Sequence, residues 1–197
     1  MRTPSGQTTA PPVQALLEEG NLTGEWALDP VRSRVGLKSR SMWGLVPVNG
    51  VFREVSGNGT VGADGAVSGT VTVATASIET NNTRRDTHLR SADFFDSGNY
   101  PDITFTADGI RLSGRGAAVT GTLTVRDCAR PLSFEAAPSA AIDGEIWLDA
   151  EVRVNRADFG LTWNQMGMAS IDSTLAVHAV FTRRNIDTQE AREETDE

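Results

Sequence analysis

The chain of 197 residues has one cysteine, two histidines, one tyrosine and, in Lys38, a single lysine. Each scarcity excludes something. Cys128 alone cannot form an internal disulfide or a multi-cysteine metal site. His88 and His178 leave little for acid–base or metal chemistry. No apolar run is long enough for a transmembrane helix. A formal net charge of -8 argues against a nucleic-acid partner, because phosphate binding needs a basic footprint. The sequence has no GxSxG, HExxH, P-loop or CxxC motif. Cys128 is far in sequence from both histidines, and Asp93 and Asp96 flank phenylalanines as turn or helix caps. The expectation is therefore no catalytic residue, no metal and no cofactor; the balance is against an enzyme, and any activity would have to be a cofactor-free cyclisation.

The remaining composition supports one packed domain, with 39% hydrophobic and 22% charged residues. Residues 1–21 read as a flexible arm. Met1 to Pro12 is polar with no signal-like apolar core, and Val13 to Gly20 has a short helical pattern in which Leu16 and Leu17 can dock. Residues 185–197 hold six acidic groups, one isoleucine and no aromatic residue, and read as a disordered acidic tail. With one cysteine and no signal, the expected location is the cytoplasm. The near-exclusive use of arginine over lysine, with abundant Ala, Gly and Thr, is a compositional association with GC-rich bacteria.

From residue 22 to 184 the dominant period is two. Val35, Leu37, Ser39 and Ser41 share one strand face, opposite Arg34, Gly36, Lys38 and Arg40. Val67, Val71 and Val73 repeat the pattern, as do Val119, Gly121, Leu123 and Val125, then Ile146, Leu148, Ala150, Val152 and Val154, then Leu175, Val177, Ala179 and Phe181 with His178 outward. Asn58-Gly59, Asp64-Gly65, Asp108-Gly109 and Asp143-Gly144 are turn dipeptides, and Arg126 to Pro131 reads as a further turn. Many short strands at regular spacing predict a closed antiparallel barrel or a sandwich.

Two segments break the period. Residues 81–100 carry polar caps around Leu89, Phe94 and Phe95, which predicts a short helix and a turn. Residues 157–169 join two strands by a long apolar connection containing Trp163, Met166 and Met168, read either as a lid that touches a ligand or as a fixed plug. A barrel of eight or more strands fills its interior or encloses a cavity. Small inward residues among large ones favour a cavity. Its predicted walls are Leu37, Phe52, Val73, Phe105, Leu123 and Val152, with Ser39 and Ser41 as polar points.

Residues 24–184 resemble the YceI-like family of lipocalin-like polyisoprenoid-binding barrels. The resemblance is carried by Trp26-Ala-Leu-Asp-Pro30 with Ser33-Arg-Val35, by Met42 to Phe52, and by Ala76 to Thr80 running into Arg85 to Asp96. Tyr100 to Phe105, Gly121 to Val125 with Arg130-Pro131, and Arg156 to Leu161 complete it. The resemblance implies an extended antiparallel barrel, all-β with a short helical segment, over residues 22–184. It implies an amphiphile such as an isoprenoid quinone or fatty-acid derivative along the axis, a binding or carrier role, and a homodimer. Met42, Trp43, Leu89, Phe94 and Phe95, which stand in its motifs, join the expected ligand-binding set. The sequence departs from the family at Arg32 and Ser41, where histidine often stands. An altered lumen suits, as an alternative, a cofactor-free cyclase that folds a linear polyene or polyketide and acts by proximity. A structural barrel with a filled core is the third reading.

Overall fold

The computed structural model describes residues 12–41, 45–140, 144–163 and 170–184. The expectations for the first eleven residues, the acidic tail, Met42, Trp43, Met166 and Met168 fall outside these residues.

The strands are β1 (Gly24–Leu28), β2 (Arg34–Ser41), β3 (Val46–Phe52), β4 (Val55–Val61), β5 (Val67–Ala74), β6 (Ile78–Glu79), β7 (Asp102–Ser113), β8 (Gly116–Val125), β9 (Cys128–Ala140), β10 (Ile146–Asn155) and β11 (Asp172–Arg183). Among the described residues, helix is limited to α1 (Val13–Glu18), α2 (Thr83–Arg90) and two single turns at Thr75–Ser77 and Arg156–Phe159. The sheet order is β1-β4-β5-β7-β8-β9-β10-β11-β2-β3-β6, and a further β1–β11 pairing closes it.

The closure is an eight-stranded antiparallel barrel. β1 and β2 lie end to end along one side of β11, with Leu28 opposite Phe181 and Arg34 opposite His178. β3 and β4 lie end to end along the next position, pairing with β2 and β1 respectively. Each of these two interrupted strands therefore counts once around the barrel. The break between β1 and β2 is stitched by the Asp29 amide donating to the Val180 carbonyl and the Val180 amide donating to Ser33 Oγ.

Two expected turns are strand interior. Asn58-Gly59 lies within β4, where Gly59 pairs with Gly69 of β5. A Cβ on Gly69 would stand 2.7 Å from the Asn58 carbonyl oxygen, so this glycine allows a close backbone approach. Asp108-Gly109 lies within β7, where the register against β8 shifts between Ala107 and Gly109. The dipeptide marks a β-bulge, which bends the strand without ending it. The Arg126 to Pro131 turn is shorter than expected. Arg126 takes a positive φ of 55°, and β9 starts at Cys128.

One end of the barrel is covered by α1. Val13 and Leu22 pack with Trp26 and Val61, and Leu16 and Leu17 join them. Trp26 Nε1 donates to the Leu22 carbonyl at 2.9 Å. The other end is bordered by α2, the end of β2 and the β10–β11 connection.

Candidate functional site

The inward faces of the strands enclose a cavity of about 750 Å³. This falls within the roughly 300–1,000 Å³ typical of small-molecule sites. Small residues make the space. Ala107, Ala150, Ala179, Gly59 and Gly69 all border it, among Leu, Val and Phe side chains. Along β7, lining residues run from Ile103 to Leu112. At about 3.4 Å per residue and a tilt near 40°, that span is roughly 20–25 Å along the axis. The space is long and narrow.

Leu37, Ser39, Ser41, Phe52, Val73, Leu89, Phe94, Phe95, Phe105, Leu123, Val152 and Trp163 all border this cavity. Phe52, Val73, Leu89, Phe95, Leu123 and Val152 are buried, while Leu37, Phe94 and Phe105 are partly buried and packed against them. Phe52, Phe94 and Phe95 form an aromatic chain, with centroids 6.0 Å and 5.3 Å apart at successive steps. Ser39 and Ser41 sit near the end of β2, each with its hydroxyl 3.5 Å from a backbone carbonyl, that of Asp172 and that of Val46.

α2 is positioned by a buried polar network. Asn82 caps it by accepting from the Arg85 amide. Asp86, 8% exposed, accepts from the Thr80 amide at 2.9 Å and the Thr80 hydroxyl at 2.5 Å. Arg85 returns to Thr80 through Nε to the hydroxyl oxygen and through a second guanidinium nitrogen to the carbonyl. A buried carboxylate is stable only when so partnered. The network sets α2 so that Leu89 enters the core and His88 faces the cavity.

The β10–β11 connection begins as a plug. Phe159 and Leu161 are 7% and 4% exposed and belong to the main core. Gly160 between them has φ 72°, a left-handed conformation that glycine takes without strain. Arg156 pins this segment: it is 6% exposed and its guanidinium donates to the carbonyls of Ser170, Leu161 and Trp163. Burial pulls its pKa below the ordinary arginine value. Its guanidinium also lies 5.6 Å from the Phe94 ring centroid. Trp163 is different from the plug residues. It is 37% exposed, and its ring lies 4.2 Å from that of His88.

The period-two reading missed the polar residues of this end. Arg40, Arg84, Arg85, His88 and Arg156 all border the cavity. Arg40 falls on the outward face by alternation, yet it stands one residue from the end of β2, where both faces reach the opening. The only signal for Arg84, Arg85 and His88 was their place in an irregular, mostly polar segment that also carries Leu89, Phe94 and Phe95. His178, by contrast, lies outside the cavity lining and meets Asp149 at 2.7 Å. Arg32 is also outside it, paired with Asp29 and Glu145.

Among the described residues no group of three or more His, Cys, Asp or Glu side chains is placed to hold a metal ion, and no helix is long and apolar enough to cross a membrane.

The YceI-like domain matches residues 26–182. Protein YceI of Escherichia coli O6:H1 is 35% identical over 118 residues, covering 56% of this chain and 61% of that protein. The chain thus spans about three fifths of the length of such curated relatives. In fold it is similar to BcnA of Burkholderia cenocepacia, with a TM-score of 0.71 at 22% identity, covering 78% of this chain and 98% of that one. It is also similar to a polyisoprenoid-binding domain from Saccharophagus degradans, with a TM-score of 0.67 at 14% identity, covering 81% and 98%. The Campylobacter jejuni YceI protein matches at 27% identity with a TM-score of 0.60, covering 70% and 85%. A match over most of the barrel, on strands that close around one long cavity, establishes that the chain belongs to the YceI-like family.

Proposed function

We propose that this chain binds a long apolar amphiphile, such as an isoprenoid, an isoprenoid quinone or a fatty-acid derivative, in the barrel lumen, and acts as a binding or carrier protein. The observation that carries the reading is the cavity itself: long, lined by apolar side chains from every barrel strand, with its polar groups gathered mainly at one end. The naming of one fold relative as a polyisoprenoid-binding domain supports the same class of ligand. The expected site residues that border the cavity are its proposed contacts, with Leu37, Phe105 and Leu123 along the chain and Trp163 at the opening. Residues 22–184 form the proposed binding unit. The filled-core reading conflicts with the volume of the lumen, and the cyclase reading gains nothing from the relatives. Native mass spectrometry of the purified chain should show a co-purifying apolar molecule that organic extraction removes. A chain that carries no such molecule and takes up no long-chain probe after extraction overturns the reading.

Two narrower proposals go with this one. The lone Cys128 needs no oxidising compartment, which favours the cytoplasm, and cell fractionation tests that. A homodimer is proposed on the family resemblance, and sedimentation velocity tests it.

A further inference from the structure

The chain carries 26 acidic groups against 18 basic ones. Its cavity reverses that balance. Arg40, Arg84, Arg85, Arg156 and His88 border the lumen, and among the described lining residues there is no Asp or Glu. The segments that continue the chain at 42–44 and 164–169 contain no acidic residue in the sequence either. These basic groups are not scattered. Arg84, Arg85 and His88 lie on α2, Arg40 lies near the end of β2, and Arg156 opens the β10–β11 connection, so all five gather at the end opposite α1.

Two of them have structural duties, since Arg85 holds Thr80 and Arg156 holds three carbonyls. Their charge remains, in a setting where apolar walls reduce screening. Two others are uncommitted. Arg84 is exposed and has no hydrogen bond or ion pair among the described residues. His88 Nε2 is shielded from solvent and has no hydrogen-bond partner among the described residues. A buried nitrogen left without a partner costs free energy that a ligand can recover. Its ring is held between Trp163 and Phe94, with centroids at 4.2 Å and 6.3 Å. The nearest carboxylate, Asp93, stands 3.9 Å from the other ring nitrogen, Nδ1, and is itself 61% exposed.

We infer that the amphiphile taken up by this barrel is anionic, with a carboxylate or phosphate headgroup at the α2 end met by Arg84 and His88 within the field of Arg40, Arg85 and Arg156. A neutral alcohol or quinone head needs hydrogen-bond donors but has no use for a concentration of positive charge free of acids. An arginine fork matches carboxylate and phosphate in two-point geometry, and such charge-assisted bonds are about twice as strong as neutral ones. A cationic head is disfavoured by the same field. The inference rests on the amphiphile-binding reading and specifies which class of amphiphile.

The test holds the tail constant and varies the head. A fluorescent long-chain probe bound to the full-length protein is displaced by hexadecanoate, hexadecyl phosphate, hexadecanol or hexadecyltrimethylammonium, with inorganic phosphate and acetate as free-anion arms. The two anionic amphiphiles should displace the probe about tenfold more effectively than the alcohol, and the cation least. Arg84→Gln and His88→Gln should each weaken the anions several-fold, weaken the alcohol much less and flatten the salt dependence, whereas Arg115→Gln in the β7–β8 turn should do nothing. Free phosphate and acetate should not displace the probe. Equal displacement by all four heads, or preference for the cation, overturns this inference while the barrel-binding reading stands. Displacement by free phosphate shows a site for inorganic anions and also overturns it. Failure of every amphiphile, with the probe itself unbound, strikes the binding reading as well.

Discussion

Gly121 shows how single residues shape this lumen. It lies on the inward face of β8, and a Cβ there would stand 2.2 Å from the Thr106 carbonyl oxygen and 2.7 Å from Phe105 Cζ. The neighbouring backbone cannot yield as a flexible side chain would. Gly121→Ala should therefore cost roughly 1–3 kcal/mol, read as a lower urea midpoint with unchanged slope. Gly59→Ala is the contrasting case. Its added Cβ meets the Ser68 carbonyl oxygen at 3.5 Å and Trp26 Cβ at 3.9 Å, which are ordinary contacts. It should melt close to the parent, and equal losses for the two would refute the steric argument. Arg32 acts outside the lumen. Its guanidinium grips both oxygens of Glu145 and one of Asp29, and holds both carboxyls below their usual range. A carboxylate with a lowered folded pKa adds stability above its unfolded pKa, about 4, and loses it as pH falls through the folded value. Arg32→Gln should raise the Glu145 titration midpoint, seen by NMR, and shrink the stability gained between acid and neutral pH. An unmoved Glu145 midpoint would show that the pair does not persist in solution.

At the scale of elements, period two was a reliable guide wherever a strand had one face in the lumen. Leu175, Val177, Ala179 and Phe181 of β11 were legible because water and lumen alternate along it, and all four border the cavity. The glycine dipeptides were less legible. Asp64-Gly65 does turn, with Gly65 at φ 79°, but Asn58-Gly59 and Asp108-Gly109 serve a close strand approach and a bulge. At Asn58-Gly59 it is the partner Gly69 that needs the missing side chain, so the dipeptide there reports a strand neighbour and not a turn. The α2 cations could not be placed by any period, since their role depends on which side of a short helix meets a cavity built by distant strands. In the described part of the β10–β11 connection Phe159 and Leu161 are fixed in the core, as the plug reading has it, while Trp163 is 37% exposed and borders the cavity. Arg156 joins the two parts through its three carbonyl contacts. Arg156→Met keeps an unbranched apolar stem and removes every donor. Leaving buried carbonyls unpaired should lower stability by at least about 1–3 kcal/mol. Hydrogen exchange should quicken at the Leu161 amide, which donates to the Arg156 carbonyl. Arg156→Lys should rescue little, because an ammonium cannot span three acceptors as a planar fork does. Full rescue by lysine would mean that charge alone holds the segment.

The whole molecule is a tube closed at one end by α1 and polar at the other, and that asymmetry makes a prediction about ligand length. An amphiphile fixed by its head at the α2 end must send its tail toward Val13, Leu17 and Leu22, which border the cavity beneath α1. Each methylene entering the lumen leaves water and gains about 0.8 kcal/mol, so two more carbons should tighten binding about tenfold. The gain must stop where the tail reaches the α1 end, because a further methylene then finds no space without displacing the Trp26 cluster. Affinity plotted against tail length at constant head should thus rise steeply and then level or fall, with the break set by the roughly 20–25 Å of lumen. Ser41→Trp, which places a large ring at the polar end, should move the curve to weaker binding while the urea midpoint stays near that of the parent. Leu17→Ala should instead move the break to longer tails, because it opens space at the closed end. Isothermal titration across a series of even-numbered fatty acids measures all three curves. A smooth rise with no break in the parent, or a break that Leu17→Ala does not shift, would show that the tail does not run along the axis from α2 toward α1.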